Sequence, residues 1–315
     1  MQALDRKRIL IFLALAYGIA WAAGLAIALT GGLTNSPELA PGIPLALVLT
    51  AGVYMWAPAL AHILTRVSTR EGWGESGLRP HFRRGWRYWL AAWFLPALLT
   101  IVGGAIFFAL FPRYFDPSLG MVQQILATYG VAGSITPPLF VLAQLFNGIV
   151  AGPIINSLFT FGEEFGWRGY LLPKLLPLGE RRAILISGLI WGAWHWPVIA
   201  MGHNYGFDYP GAPWTGLLMM VWFTLLVGAA LSWMTLRAGS VWPAVIGHAA
   251  VNAITGLPAL FMQGQPSTLL GPMSTGVVGS LGWAALAAWI LWTAKDNSQF
   301  TPHLTNHLPD PPDRV

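Results

Sequence analysis

The chain has 315 residues, 55% apolar and only 9% charged, whereas an ordinary soluble domain carries roughly a quarter charged residues; a plain soluble globule is excluded. Seventeen Lys and Arg against twelve Asp and Glu leave a net charge of +5, but the charges sit in short clusters between long uncharged runs, which argues against a nucleic-acid partner. The absence of cysteine excludes a disulfide framework, a thiolate metal site, a Cys nucleophile and cysteine lipidation.

A hydrocarbon core about 30 Å thick needs about 20 apolar residues per helical span. Eight runs qualify, at 9–30, 43–65, 88–111, 145–172, 183–200, 214–236, 240–258 and 275–294. The expected fold class is therefore all-α, a polytopic membrane helix bundle of about eight transmembrane helices. Seventeen Trp, 24 Pro and 36 Gly suit interfacial aromatics and close helix contacts. The first run follows Arg6, Lys7 and Arg8 as a signal peptide would. Its apolar stretch of about 21 residues exceeds the roughly 7 to 15 of a cleaved segment, so it is read as retained. Loops rich in Lys and Arg stay in the cytoplasm. With the N-terminus inside, sixteen basic residues fall on or toward the cytoplasmic side and only Arg113 falls outside. The expected location is the cell membrane, with both termini cytoplasmic.

Between the third and fourth runs, Pro112, Pro117, Pro137 and Pro138 bound a short stretch from Met121 to Tyr129 suited to the outer interface. The fourth run carries Phe161-Gly-Glu163-Glu164-Phe-Gly-Trp-Arg168-Gly-Tyr170 and is expected to end at Pro173. Glu164 and Arg168, four apart with the acid first, share a helix face in the favourable order for pairing. Glu163 is rotated about 100° away, which leaves its carboxylate free to point elsewhere.

The fifth run contains Trp191-Gly-Ala-Trp-His195-Trp196-Pro197, and the seventh His248-Ala-Ala-Val-Asn252, whose spacing puts imidazole and amide on one face. Counting from the cytoplasmic ends of the runs at about 1.5 Å per residue places Glu163, His195 and His248 roughly 15, 18 and 12 Å deep. The three levels are similar. The small-residue pairs Gly148/Gly152 and Gly188/Gly192 allow helices to approach closely, so the clusters are expected to meet in one cavity. His62 reads as a helix-packing group, His81 and His203 as loop residues, and His303 and His307 as part of a proline-rich tail.

A buried carboxylate beside two imidazoles and an amide suits hydrolysis of an amide bond. Glu163 would move the proton between water and leaving amine, His195 would orient or share it, and His248 with Asn252 would donate to the oxyanion. Glu163, His195 and His248 also match the ligand count of catalytic zinc, although the HExxH spacing is absent. Arg168 would repel a divalent cation. Water activated by glutamate without an obligatory ion is therefore preferred to Zn2+.

The strings EEFGWRGYLL, WGAWHWP and HAAVN, in this order on separate spans, resemble the CPBP family of intramembrane proteases, which includes CAAX prenyl endopeptidases of the Rce1 type and relatives named for abortive infection or bacteriocin immunity. The matched residues are Glu163, Glu164, Arg168, His195, His248 and Asn252. Trp191 departs from the phenylalanine common there, a change expected to reshape the cavity wall. The resemblance implies a glutamate-dependent or metallo-type peptidase whose cavity opens to the cytoplasm, acting on a peptide or membrane-protein substrate in the lipid bilayer. The resemblance covers a protease-like catalytic core (140–258); hydropathy and composition add N-terminal transmembrane helices and loops (1–139), a C-terminal transmembrane helix (259–295) and a polar, proline-rich tail expected to be disordered (296–315). A proton-coupled transporter would also bury Glu, Arg and His, but no repeat or paired broken helices occur. A non-catalytic immunity or scaffold protein could keep the same residues for packing.

Overall fold

The computed structural model describes residues 4–74 and 76–294; the tail expected to be disordered lies outside them. The protein is an all-α multi-pass membrane bundle, with one two-stranded hairpin of β1 (Glu38–Ala40) and β2 (Ile43–Pro44). Its helices are α1 (Arg6–Leu29), α2 (Leu45–Ser68), α3 (Phe82–Leu110), α4 (Gly120–Thr128), α5 (Pro137–Leu178), α6 (Glu180–Trp194), α7 (Trp196–Ala200), α8 (Trp214–Ala238), α9 (Trp242–Ile254) and α10 (Leu281–Thr293). Among the described residues six helical stretches are long and apolar enough to cross a membrane: α1, α2, α3, α5, α8, and α9 with its continuation to Phe261. The run expected at 183–200 breaks into α6 and α7. That expected at 275–294 gives α10, 13 residues long, about 20 Å at helical rise.

Local sequence sets these limits. Asp5 caps α1 by accepting the Arg8 amide at 3.2 Å, which satisfies one of the free amides of the first turn. Pro137 and Pro138 open α5, where a missing N–H costs nothing. Helix α5 does not stop at Pro173 as expected. A wider π turn over Trp167–Leu171 lies just before Pro173, the helix continues to Leu178, and Gly179 ends it with φ of 95°, a conformation glycine adopts without penalty. Because α6 begins at Glu180, α5 and α6 form a hairpin about Gly179, and Glu163 and His195 each lie sixteen residues from its turn.

Small residues then set the packing. A Cβ on Gly162 would lie 2.6 Å from the Met55 carbonyl oxygen, and one on Gly166 2.4 Å from the Pro58 Cβ, so α5 lies directly on α2. The Gly188/Gly192 pair meets α8 at Leu225, Val221 and Thr224, and Gly148/Gly152 meets α9 at Ile254 and Ala253. Leu10, Leu60, Phe94, Leu142, Ile154 and Leu218 point outward, an apolar surface suited to lipid. The Met121 to Tyr129 stretch forms α4, held by its own small core of Leu119, Val122 and Leu126.

Candidate active site

The two ends of the bundle differ in charge. At the end marked by Gly179, Glu71 meets Lys174 at 2.5 Å, Arg8 at 3.4 Å and Arg66 at 3.6 Å, tying α1, α2 and α5 together. His62, fully buried nearby, donates Nδ1–H to the Phe165 carbonyl at 2.8 Å and accepts from Arg66 Nε at 2.6 Å. Both of its ring nitrogens are used in packing, and it takes no part in the cavity.

Farther into the bundle Glu164 and Arg168, both fully buried, pair at 3.0 Å. The Glu164 Oε1 that receives Arg168 also accepts His248 Nδ1 at 2.9 Å, joining α5 to α9. One turn-to-turn pair thus anchors an imidazole on another helix. A buried charge needs such partners because the desolvation cost is large. The Arg168 guanidinium also lies 4.3 Å over the Trp191 ring, a cation–π contact.

Glu163, 2% exposed, accepts the Trp191 indole N–H on Oε2 at 2.8 Å. Among the described residues its Oε1 makes no hydrogen bond, and the residue lines a cavity of about 340 Å3. His195, His248 and Asn252 line the same cavity. Trp191 stands between them, its ring 5.5 Å from that of His195 and 5.2 Å from that of His248. From the sequence alone Trp191 reads as a wall residue. The indole donor was its distinguishing chemistry against phenylalanine, but only a fold that crosses α5 with α6 gives that donor an acceptor.

His195 sits where α6 breaks. Pro197 has no amide hydrogen to continue the ladder, so the chain turns at His195 before α7. Its Nδ1 donates to the Trp191 carbonyl at 2.8 Å. The Trp194 carbonyl, near this break, accepts Tyr54 Oη at 2.5 Å and Trp21 Nε1 at 3.2 Å. Helices α1 and α2 therefore hold the end of α6 from the side. Glu164 serves His248 rather than His195, whose Nδ1 is already met by a carbonyl of its own helix.

Carbonyl and carboxylate oxygens only accept, so both Nδ1 atoms carry hydrogen, and a neutral ring then presents Nε2 as an acceptor. That suits taking a proton from water at either histidine. Donation to an oxyanion through His248 Nε2 requires a hydrogen on that nitrogen as well, while Nδ1 stays bonded to Glu164. Asn252, exposed and four residues along α9, has an amide free of hydrogen bonds to the protein among the described residues.

Zinc-bound histidines usually donate their second nitrogen to a carbonyl or carboxylate, and both imidazoles do so here. Yet no three His, Asp or Glu side chains among the described residues are grouped to hold one ion.

The cavity does not lead toward the Gly179 end. It is lined by Leu33 after α1, by His203 and Asn204 between α7 and α8, and by Thr255 and Thr275 after α9, all loops at the opposite end. The expected cytoplasmic N-terminus and the expected cytoplasmic opening cannot both hold.

Residues 136–254 match the family described as type II CAAX prenyl endopeptidase, Rce1-like. A CAAX prenyl protease 2 of Methanococcus maripaludis is 31% identical over 93 residues, 29% of this chain and 34% of that relative. The matched stretch thus spans about a third of the curated relative's length.

Proposed function

We propose, from the match of residues 136–254 to the Rce1-like endopeptidases, that the chain is an intramembrane endopeptidase of the CPBP kind in which Glu163 activates water against a peptide bond. The observation that carries this is the free Glu163 Oε1, on a carboxylate held through its other oxygen, facing a cavity shared with two imidazoles. Oε1 takes a proton from water as the oxygen attacks the carbonyl carbon, forming the C–O bond and an oxyanion. Collapse breaks the C–N bond, and the Glu163 proton passes to the leaving amine. His195, with Nδ1 committed, orients the water through Nε2. His248 and the Asn252 amide donate to the oxyanion, while Glu164, paired with Arg168, fixes the His248 ring through Nδ1. Met55, Val198, Met220, Phe223 and Val227 on the cavity wall favour apolar side chains beside the scissile bond, and the substrate is a membrane-associated polypeptide.

Glu163→Gln is expected to abolish cleavage of a reporter substrate with accumulation and thermal unfolding unchanged, and Asn252→Ala to slow it by about 10² to 10³, the usual loss for one oxyanion donor. Full activity in Glu163→Gln would reject the mechanism. Purified protein is expected to keep its activity after dialysis against a chelator; stoichiometric zinc whose removal and return switch activity off and on would replace the glutamate mechanism by a metal one.

A further inference from the structure

The cavity and the basic residues lie at opposite ends of the bundle. Its floor is Glu163, Trp191, Val227 and His248, and its upper rim is Leu33, Asn204 and Thr275. Below the floor, toward Gly179, the same helices are solid: Trp167, Arg168 and Leu171 on α5, Leu231 on α8, and Ala244 and Val245 on α9 are all buried. No lining residue comes from the last turns that reach that end. Every described Lys and Arg except Arg113 and the buried Arg168 lies in the segments gathered at the Gly179 end.

Basic segments resist translocation, so the end that carries them stays in the cytoplasm. We infer that the cavity is reached from the non-cytoplasmic face, and that the substrate is a polypeptide segment already exposed on the outer side of the membrane, admitted between the loop after α1, the 201–213 loop and the loop after α9. The word substrate rests on the protease reading; the side of access does not. A target confined to the cytoplasm would have to pass the buried Trp167 and Arg168 layer to reach Glu163. A translocated or membrane-anchored segment with its scissile bond just inside the outer surface meets no such barrier.

The cysteine-free chain permits a direct test in the full-length protein. Single cysteines are placed at Thr255 on the cavity wall (Thr255→Cys) and at exposed Ser68 near the Gly179 end (Ser68→Cys), with Thr50→Cys as a second cavity position should Thr255→Cys fail to accumulate. A small, charged, membrane-impermeant methanethiosulfonate is applied to right-side-out and inside-out vesicles, and unreacted thiol is counted after solubilisation. Thr255→Cys or Thr50→Cys is expected to be blocked in right-side-out vesicles only, and Ser68→Cys in inside-out vesicles only. Blocking of both positions from one face would overturn the separation of cavity from basic end. The reversed pattern would overturn the orientation and move the substrate to the cytoplasm. Loss of reporter cleavage in Glu163→Gln plays no part in this readout, so failure of the protease reading and failure of the access side are distinguishable.

Discussion

At the scale of single residues, the site turns on which oxygen or nitrogen is left over. Glu163 differs from Glu164 by one position in sequence, yet one carboxylate is consumed by Arg168 and His248 while the other keeps Oε1 unbonded among the described residues. The pairing of Glu164 with Arg168 was legible because i,i+4 neighbours meet on any helix. The roles of His248 and Trp191 were not, because both act across helices. Trp191→Phe is expected to isolate the indole donor: the ring remains beneath Arg168 for the cation–π contact, while the hydrogen bond to Glu163 is lost. A hydrogen bond to a charged group contributes about 1.5 to 3 kcal/mol, and the lower figure, roughly tenfold in rate, is expected for kcat with unfolding temperature retained. An unchanged kcat would show that Glu163 is held without the indole.

At the scale of elements, close approach and charge bind the helices differently. Gly166→Ala would force a methyl to within 2.4 Å of Pro58 on α2, and neither backbone can step aside alone. A cost of about 1–3 kcal/mol or more is expected, as for overpacking generally, seen as a lower unfolding temperature in detergent. Gly18→Ala in α1, where the new methyl meets nothing within 4 Å, is the matched control and should hold or raise it. At the Gly179 end, burial pushes the Glu71 carboxyl up, but hydrogen bonds from Lys174 and Tyr170 and the charge of Arg66 outweigh it and hold the group below its ordinary 4.5. A carboxylate depressed in the folded state stabilises fully above its unfolded value and loses that contribution as pH falls through the lower folded value. Wild-type protein should therefore lose thermal stability on acidification below about pH 4.5, and Glu71→Gln should show lower stability at neutral pH with a shallower acid decline. Parallel pH profiles for the two would remove Glu71 from this role.

At the scale of the whole molecule, the sequence by itself determined that the chain lives in a membrane, because a composition so poor in charge and so rich in runs of about 20 apolar residues has no other stable solvent. It also determined the ordered motifs around Glu163, His195 and His248, and the two charges that must pair on one helix. Boundaries were less secure: Pro173 is carried inside α5 by a π turn and Gly179 ends the helix, a choice made by the packing of α5 on α2 and α6 rather than by proline alone. The runs at 183–200 and 275–294 are apolar enough to suggest spans but fold as shorter helices. Tertiary structure alone decided that Glu164 serves His248, that Trp191 holds Glu163, and that the cavity leads away from the basic end. These facts depend on which helix faces which. Hydrophobic periodicity fixes how a helix meets its surroundings, whereas the partner across an interface, and the direction in which a cavity is left open, arise only when distant segments pack.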